Sequence, residues 1–109
     1  MYEPSRDIMS FCIAGFSHYD GPKVFDELKI GTRLELALEP DNPYDAKAVA
    51  IRFQGVKLGY IPAKMNFEVY QLMFFGHADL FECFVVQVDP ETHPESQVRV
   101  RIDIVDARA

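Results

Sequence analysis

The stretch that decides the fold is residues 33–61, which read RLELALEPDNPYDAKAVAIRFQGVKLGYI. Residues 33–39 and 48–53 alternate apolar with polar side chains, which is the period-two pattern of a half-buried β-strand. Gln54-Gly55 is a two-residue connection typical of a tight hairpin, and residues 56–61 then return as a strand. The stretch therefore predicts an antiparallel meander of three strands.

Three further segments extend this β pattern. Residues 8–16, 80–88 and 97–105 are rich in apolar side chains, and the last segment alternates clearly along its whole length. Residues 65–75 space their bulky side chains three and four apart and precede Gly76, as an amphipathic helix does before its C-terminal stop. The order predicts a mostly β fold: a six-stranded, partly open β-barrel, OB-like or SH3-like, with one α-helix between strands four and five. We expect the aromatic side chains of this helix to pack into the core: Phe67, Tyr70, Phe74 and Phe75.

Composition limits the class of protein. The chain has 109 residues, 49% of them hydrophobic, which fits a single domain over residues 1–109 with its core at about 8–105. No apolar run reaches the roughly 18 residues of a membrane span, and residues 1–7 lack the features of a signal peptide. We therefore expect a soluble, cytoplasmic protein in which Cys12 and Cys83 are buried, reduced thiols.

Charge and motifs argue against several functions. The net charge of −6 disfavours strong, nonspecific binding to long nucleic acid, because neutralising many phosphates needs many Lys and Arg side chains. The negative charge does not exclude a small contact with nucleic acid at a single pocket. The spacing of histidines and cysteines fits no metal site, and the sequence carries no phosphate-binding loop or hydrolase motif. We expect no metal, no cofactor and no catalytic residue. Ser17, His18 and Asp20 are adjacent and could suggest a catalytic triad, but triads are assembled from separated segments. We therefore interpret these residues as a turn.

Two turns carry the residues of a candidate site. His18 and Tyr19 follow the first strand, and Tyr44 and Asp45 follow the second strand within residues 42–45. In a meander barrel these turns can lie at one end, where the rings would stack on a base and the carboxylate would accept a hydrogen bond from a sugar hydroxyl. Because a carboxylate repels phosphate, this arrangement indicates an unphosphorylated strand end. A simpler interpretation is also open, in which residues 42–45 are only a hairpin turn and Asp45 caps backbone N–H groups.

Three groups of residues are similar to one known family. They are Ala14-Gly15-Phe16 with His18-Tyr19, the run Asn42–Val49, and Gly59-Tyr60-Ile61-Pro62. In combination they resemble the HIRAN family, from about residue 8 to residue 104. HIRAN domains occur fused to SNF2-type helicases and also as separate bacterial proteins. The resemblance implies an OB-like barrel that captures the free 3′-hydroxyl end of single-stranded DNA.

The resemblance also implies roles for individual residues. Asp45 would accept the hydrogen bond from the 3′-hydroxyl, and Tyr44 would pack against the terminal nucleotides. His18, beside Tyr19, would take the place of a stacking tyrosine. Tyr60 matches a position near the terminal phosphate, where a known member of the family has a histidine.

The resemblance is incomplete in its cations. Ser17 stands where the same member has an arginine that grips the DNA, and Ala63 stands where it has a lysine. Lys47 and Lys64 are the residues expected to compensate in part for these losses. The predicted DNA-binding set is therefore the following: His18, Tyr19, Tyr44, Asp45, Lys47, Tyr60 and Lys64.

Two hypotheses from different classes follow. The first is a binding module for the 3′ ends of single-stranded DNA, without catalysis of its own, which works beside a protein partner such as a helicase or nuclease. The second is a protein-interaction adaptor that uses the barrel without nucleic acid, and the acidic net charge favours it. An enzyme that hydrolyses nucleotide ends is a weaker third hypothesis, because the catalytic motifs are missing.

Overall fold

The structure is a computed structural model that describes the backbone of residues 5–105 and the side chains of residues 8–105. Residues 1–4 and 106–109 lie outside the described residues, and with them both ends of the predicted domain and most of the segment judged not to be a signal peptide. The strands are β1 (Ser5–Cys12), β2 (Arg33–Glu39), β3 (Ala48–Phe53), β4 (Val56–Tyr60), β5 (Phe81–Val88) and β6 (Val98–Val105), and the helix is α1 (Phe67–Phe74). Short 3-10 helices lie at Phe16–His18, Gly21–Glu27, Ala63–Met65, Ala78–Leu80 and Pro94–Ser96. The prediction of a mostly β fold with six strands and a helix between strands four and five is confirmed.

The six strands form one antiparallel sheet in the order β1-β6-β5-β2-β3-β4. This sheet curls into a half-barrel, so that its two outer strands approach each other. Ala14, just beyond β1, exchanges two backbone hydrogen bonds of 2.9 Å with Tyr60 at the end of β4. A Cβ atom at Gly59 would lie 2.3 Å from the carbonyl oxygen of Ala14, and Gly59 has a φ of 152°. Glycine is therefore the residue that allows the two edges to meet.

The central meander follows the sequence pattern closely. β2 and β3 have the predicted bounds, and Gln54 and Gly55 have φ values of 49° and 84°, as a type I′ hairpin turn requires. β3 differs from the alternation expected of it, because Ala48 to Ile51 are all buried. β3 has a neighbouring strand on each side and contacts α1, so little of its surface is left for water.

The first strand ends earlier than predicted. The apolar pattern predicts a strand over residues 8–16, whereas β1 ends at Cys12 and a 3-10 helix begins at Phe16. The cause is the turn at Gly15, whose φ of 75° is left-handed and incompatible with a continuing strand. The apolar pattern continues beyond the strand because Ile13 and Phe16 are buried in the core.

The prediction that the aromatic side chains of the helix pack into the core is wrong for Phe67, Phe74 and Phe75, whereas Tyr70 packs against the core. Val69 is the buried residue of α1, whereas Phe67, Phe74 and Phe75 are 51%, 56% and 70% exposed, and Tyr70 is half-buried. At 3.6 residues per turn, Phe67 and Phe74 share a face that lies well away from Val69. The spacing was helical, but it placed the rings on an outer face.

The core is formed instead by aliphatic and aromatic side chains of the strands and of the turn after β1. It includes Phe11, Ile13, Phe16, Leu34, Val49, Ile51, Leu58, Ile61, Val85, Val100 and Ile102. The two cysteines are free; Cys83 is buried as predicted, and burial raises the pKa of its thiol to about 12. Cys12 is only half-buried, so the prediction of burial is wrong for it.

Candidate functional site

A pocket of about 230 Å³ lies between the turn after β1 and the turn after β2, with the end of β4 as its floor. Its lining is Ala14, Tyr19, Asn42, Tyr44, Asp45, Ala48, Tyr60, Ile61 and Ala63. The predicted convergence of the two turns at one place is therefore confirmed. Of the seven residues proposed from the sequence, the pocket brings together Tyr19, Tyr44, Asp45 and Tyr60.

The turn after β2 is built by Asn42. Its side-chain oxygen Oδ1 accepts hydrogen bonds from the backbone N–H groups of Tyr44 at 2.8 Å and Asp45 at 3.2 Å. This local closure is the usual reason for an asparagine in such a turn. It leaves the Tyr44 side chain 95% exposed at the mouth of the pocket. A tyrosine so exposed has a free ring face for a ligand to cover.

Both carboxylate oxygens of Asp45 are held by the protein. Oδ1 accepts the backbone N–H of Lys47 at 2.9 Å, and Oδ2 accepts the side-chain amide Nδ2 of Asn66 at 2.8 Å. The interpretation of Asp45 as a turn cap is therefore correct for one oxygen. Each carboxylate oxygen can accept more than one hydrogen bond, so a fixed Asp45 retains capacity for a donor in the pocket.

Asn66 is unusual for its place at the start of α1. It is the N-cap residue, yet its side chain makes no cap hydrogen bond to its own helix and donates to Asp45 instead. An N-cap asparagine normally accepts an N–H of the first helical turn. Asn66 is also 2% exposed. Departures from a local rule are expected at functional sites, because there the local preference gives way to the needs of the site.

A hydrogen-bonded network below the pocket was missed by the sequence analysis. The Tyr60 hydroxyl donates to Glu39 Oε1 at 2.6 Å and accepts from Lys57 Nζ at 3.0 Å, while Lys57 Nζ lies 2.6 Å from Glu39 Oε2. Asn42 Nδ2 donates to both Tyr60 and Glu39 at 3.2 Å. The sequence does show a carboxylate at the end of β2 and a lysine and a tyrosine in β4. That these side chains meet becomes evident only from the fold.

The network shifts the pKa of each of its titratable members. Burial alone would raise the pKa of Glu39, but the hydrogen bonds from Lys57, Tyr60 and Asn42 outweigh it, and the pKa lies below its usual value. The hydrogen bond to Glu39 raises the pKa of Lys57, and burial together with the same carboxylate raises that of Tyr60. At neutral pH the network therefore holds a carboxylate, an ammonium and a neutral phenol.

Tyr19 packs against this network, whereas His18 lies outside the pocket lining. The rings of Tyr19 and Tyr60 meet edge to face with centroids 5.4 Å apart, and Lys57 Nζ lies 5.1 Å from the centre of each ring. His18 is exposed and is not among the described residues that line the pocket. The network thus fixes one wall of the pocket without the histidine.

The turn that presents Tyr19 is anchored by Glu95, from the loop between β5 and β6. Its carboxylate accepts the N–H groups of Gly15 and Ser17 at 3.0 Å and the Ser17 hydroxyl at 2.9 Å. Burial would raise the pKa of Glu95, but these hydrogen bonds and the nearby His18 lower it. The hydroxyl of Ser17 is therefore already bonded within the protein.

The two predicted lysines lie outside the pocket. Lys47 places its Nζ 4.7 Å from the centre of the Phe67 ring. Lys64 is exposed beside Phe67 and Glu68 in a shallow depression next to β1. Of the described residues that line the pocket, Asp45 alone carries a formal charge. Lys47 and Lys64 therefore lie at the edges of the site, and Lys57, which contacts the rings of Tyr19 and Tyr60, is paired with Glu39.

Two kinds of feature are absent from the described residues. Across residues 8–105, whose side chains are described, no group of three or more His, Cys, Asp or Glu residues is placed to hold a metal ion. Over the same residues, no helix is both long enough and apolar enough to cross a membrane.

Comparison with known proteins identifies the kind of domain. The model of the HIRAN domain family matches residues 8–105. A crystal structure of a protein from Lactobacillus plantarum superposes with a TM-score of 0.76 at 21% identity, covering 94% of this chain and 96% of that one. The crystal structure of the HIRAN domain of human HLTF gives a TM-score of 0.63 at 16% identity, covering 93% and 78%. At these identities the two structures show a shared fold. None of the curated proteins matches the sequence.

Proposed function

The chain belongs to the HIRAN domain family, and we propose that it binds the 3′-hydroxyl end of single-stranded DNA in the pocket between Tyr19, Tyr44 and Asp45. Membership of the family indicates a nucleic-acid-binding module. The pocket volume of about 230 Å³ is below the ~300–1,000 Å³ typical of pockets for drug-sized ligands. A site of this size suits one nucleotide unit and not a length of duplex.

The observation that carries the proposal is the placement of Asp45. Its carboxylate is fixed by Lys47 and Asn66 and lines a pocket whose other lining residues are uncharged. A carboxylate accepts hydrogen bonds and repels anions, so it favours a free hydroxyl over a phosphate in the same place. That preference would distinguish a strand end from the interior of a strand.

The rings supply the remaining contacts. Tyr44 is 95% exposed, and Tyr19 is 38% exposed with its edge held against Tyr60. Stacking of a base on such a ring contributes about 1–3 kcal/mol and tolerates any sequence. In this proposal Tyr60 acts through its hydroxyl network to hold Tyr19 in place, and His18 is a second, outer ring beside the turn.

Charge sets the expected strength of binding. The chain carries a net charge of −6, and Lys57 is already paired with Glu39. Lys47 and Lys64 are therefore the cations proposed to meet phosphates at the edge of the site. With few phosphate contacts, we expect modest affinity and a shallow dependence on salt.

Two oligonucleotides that differ only at the 3′ end test the proposal. A short single strand with a 3′-hydroxyl should bind the protein at least ~10-fold more tightly than the same strand with a 3′-phosphate, a difference of about 1.4 kcal/mol. Asp45→Asn should remove this preference. Asp41→Asn is the matched control, because it changes the same charge in the same loop at a residue outside the pocket lining. Equal binding of both strands by the wild-type protein would contradict the proposal.

A second candidate is the protein-interaction adaptor. The observation that favours it is a separate groove of about 480 Å³ that shares no lining residue with the pocket and includes Phe25, Leu28, Val88 and Ile30, the last 74% exposed. This function would be supported by a protein whose binding survives nuclease treatment and is lost in the variant Ile30→Glu. The same variant should leave binding to the oligonucleotide unchanged if the two surfaces are independent.

A further inference from the structure

Helix α1 and the residue that follows it carry three exposed phenylalanine rings beside Tyr70, which packs against the core. Phe67, Phe74 and Phe75 are 51%, 56% and 70% exposed, and with half-buried Tyr70 they surround a hollow of about 200 Å³. We name these four residues the α1 aromatic face. Contiguous exposed apolar surface on a small domain often marks a site where a ligand or partner binds.

The α1 aromatic face carries a cation at one end. Lys47 lines the same hollow, and its Nζ lies 4.7 Å from the centre of the Phe67 ring. In that position the lysine can meet an anion without leaving the rings. The surface therefore offers flat apolar faces and one positive charge together.

This surface is continuous with the pocket. The backbone N–H of Lys47 is bonded to Asp45 Oδ1, and Asp45 Oδ2 is bonded to Asn66, the residue immediately before Phe67. Asp45 thus lies between the pocket on one side and the α1 aromatic face on the other. A flexible chain whose last unit sits beside Asp45 can reach Lys47 and Phe67 with the units that follow.

We propose that the α1 aromatic face and Lys47 form a second nucleotide-binding surface, which holds the nucleotides next to the terminal one. Bases stack on the exposed rings, and a backbone phosphate lies beside Lys47. A single-stranded nucleic acid is the ligand that joins flat π-faces to regularly spaced anions, and it matches both features of the surface. The proposal rests on the proposed function, since it assumes that the strand ends in the pocket.

The test measures affinity as a function of strand length. Single strands of thymidine nucleotides with a free 3′-hydroxyl, about two, four and eight nucleotides long, are titrated against the full chain. Each stacked base is worth roughly 5- to 150-fold in affinity, so the wild-type protein should bind the longest strand at least ~5-fold more tightly than the shortest. The double variant Phe74→Ala, Phe75→Ala should lose this gain while its affinity for the shortest strand and its preference for the 3′-hydroxyl stay unchanged.

A matched control is available on the same helix. Leu72 is 38% exposed and does not line the hollow, so Leu72→Ala should keep the gain with length. The replaced phenylalanines are exposed, and thermal unfolding should confirm that the double variant is folded.

The outcomes separate the two proposals. A 3′-hydroxyl preference with equal affinity for all lengths, or with a gain that survives the double variant, overturns the second surface and leaves the pocket in place. Loss of the preference at every length overturns the proposed function and this inference with it.

Discussion

Asp45 and Asn66 form a hydrogen bond of 2.8 Å between a carboxylate at the pocket wall and an amide that is 2% exposed. The buried amide is thus bonded to the charged group that we propose to recognise the ligand. A buried neighbour that orients a recognition group already holds that group in place in the free protein. Ligand binding then has less movement of the group to restrict.

The first prediction concerns this pair. Asn66→Ala should lower the free energy of unfolding by about 1–3 kcal/mol, because a buried hydrogen bond is lost, and it should weaken binding of the 3′-hydroxyl end. Denaturation by urea and titration with the oligonucleotide measure the two effects. In a double-mutant cycle with Asp45→Ala, the two substitutions should be non-additive by more than about 0.5 kcal/mol. Additive effects would show that the hydrogen bond does not couple the residues.

The second prediction separates the ring of Tyr44 from its hydroxyl. Tyr44→Ala should weaken oligonucleotide binding by about 1–3 kcal/mol, because a stacking face is removed, whereas Tyr44→Phe should bind nearly as well as the wild type. Since Tyr44 is 95% exposed, both variants should keep their stability within about 0.5 kcal/mol. A large loss of binding in the phenylalanine variant would assign the contact to the hydroxyl and not to stacking.

The third prediction is a pH dependence that arises from Glu39. The network lowers its pKa in the folded protein from an ordinary value of 4.5. A carboxyl with a lowered pKa stabilises the fold above the unfolded value, and this contribution is lost as the pH falls below about 4.5 through the folded pKa. Glu39→Gln should therefore be less stable than the wild type at neutral pH, and the difference should shrink in acid.

Urea denaturation of both proteins at about pH 7 and about pH 3.5 measures this change. Glu95→Gln is the comparison, because the pKa of Glu95 is lowered by a separate set of hydrogen bonds. A Glu39→Gln variant whose deficit is the same at both pH values would contradict the role of the network.

The fourth prediction concerns the seam of the half-barrel. Gly59→Ala should be strongly destabilising, because the new Cβ would meet the Ala14 carbonyl oxygen at 2.3 Å. Gly76→Ala is the matched control: its φ of 93° is also left-handed, but the new atom would enter open space. The control should cost about 1–2 kcal/mol, and Gly59→Ala should cost at least about 2 kcal/mol more. Equal losses would mean that the close approach contributes nothing.

The sequence predicted the fold well where local chemistry determines it. The alternation of residues 33–39 and the Gln54-Gly55 turn predicted the three-strand meander, because both depend on neighbours in the chain. The early end of β1 was missed, since the apolar pattern continues through Gly15 into a turn that is also buried. A pattern of burial does not distinguish a strand from a buried turn.

The candidate site was predictable in part for a similar reason. Tyr44 and Asp45 are neighbours in an exposed turn, and the barrel brings Tyr19 to them. The contributions of Glu39, Lys57 and Asn66 depend on contacts between distant segments, which no local pattern reveals. The exposed rings of α1 were assigned to the core because helical spacing gives a face but not the direction in which it points.

Glu95 reaches across about 80 positions of sequence to bond the turn at Gly15 and Ser17. The connection between β5 and β6 thereby helps to position Tyr19 in the pocket wall, although the connection itself does not line the pocket. We expect a change in the length of that connection to displace the turn at Gly15 and Ser17 and, with it, Tyr19. Protein engineers could retune what the domain accepts while leaving every recognising side chain intact.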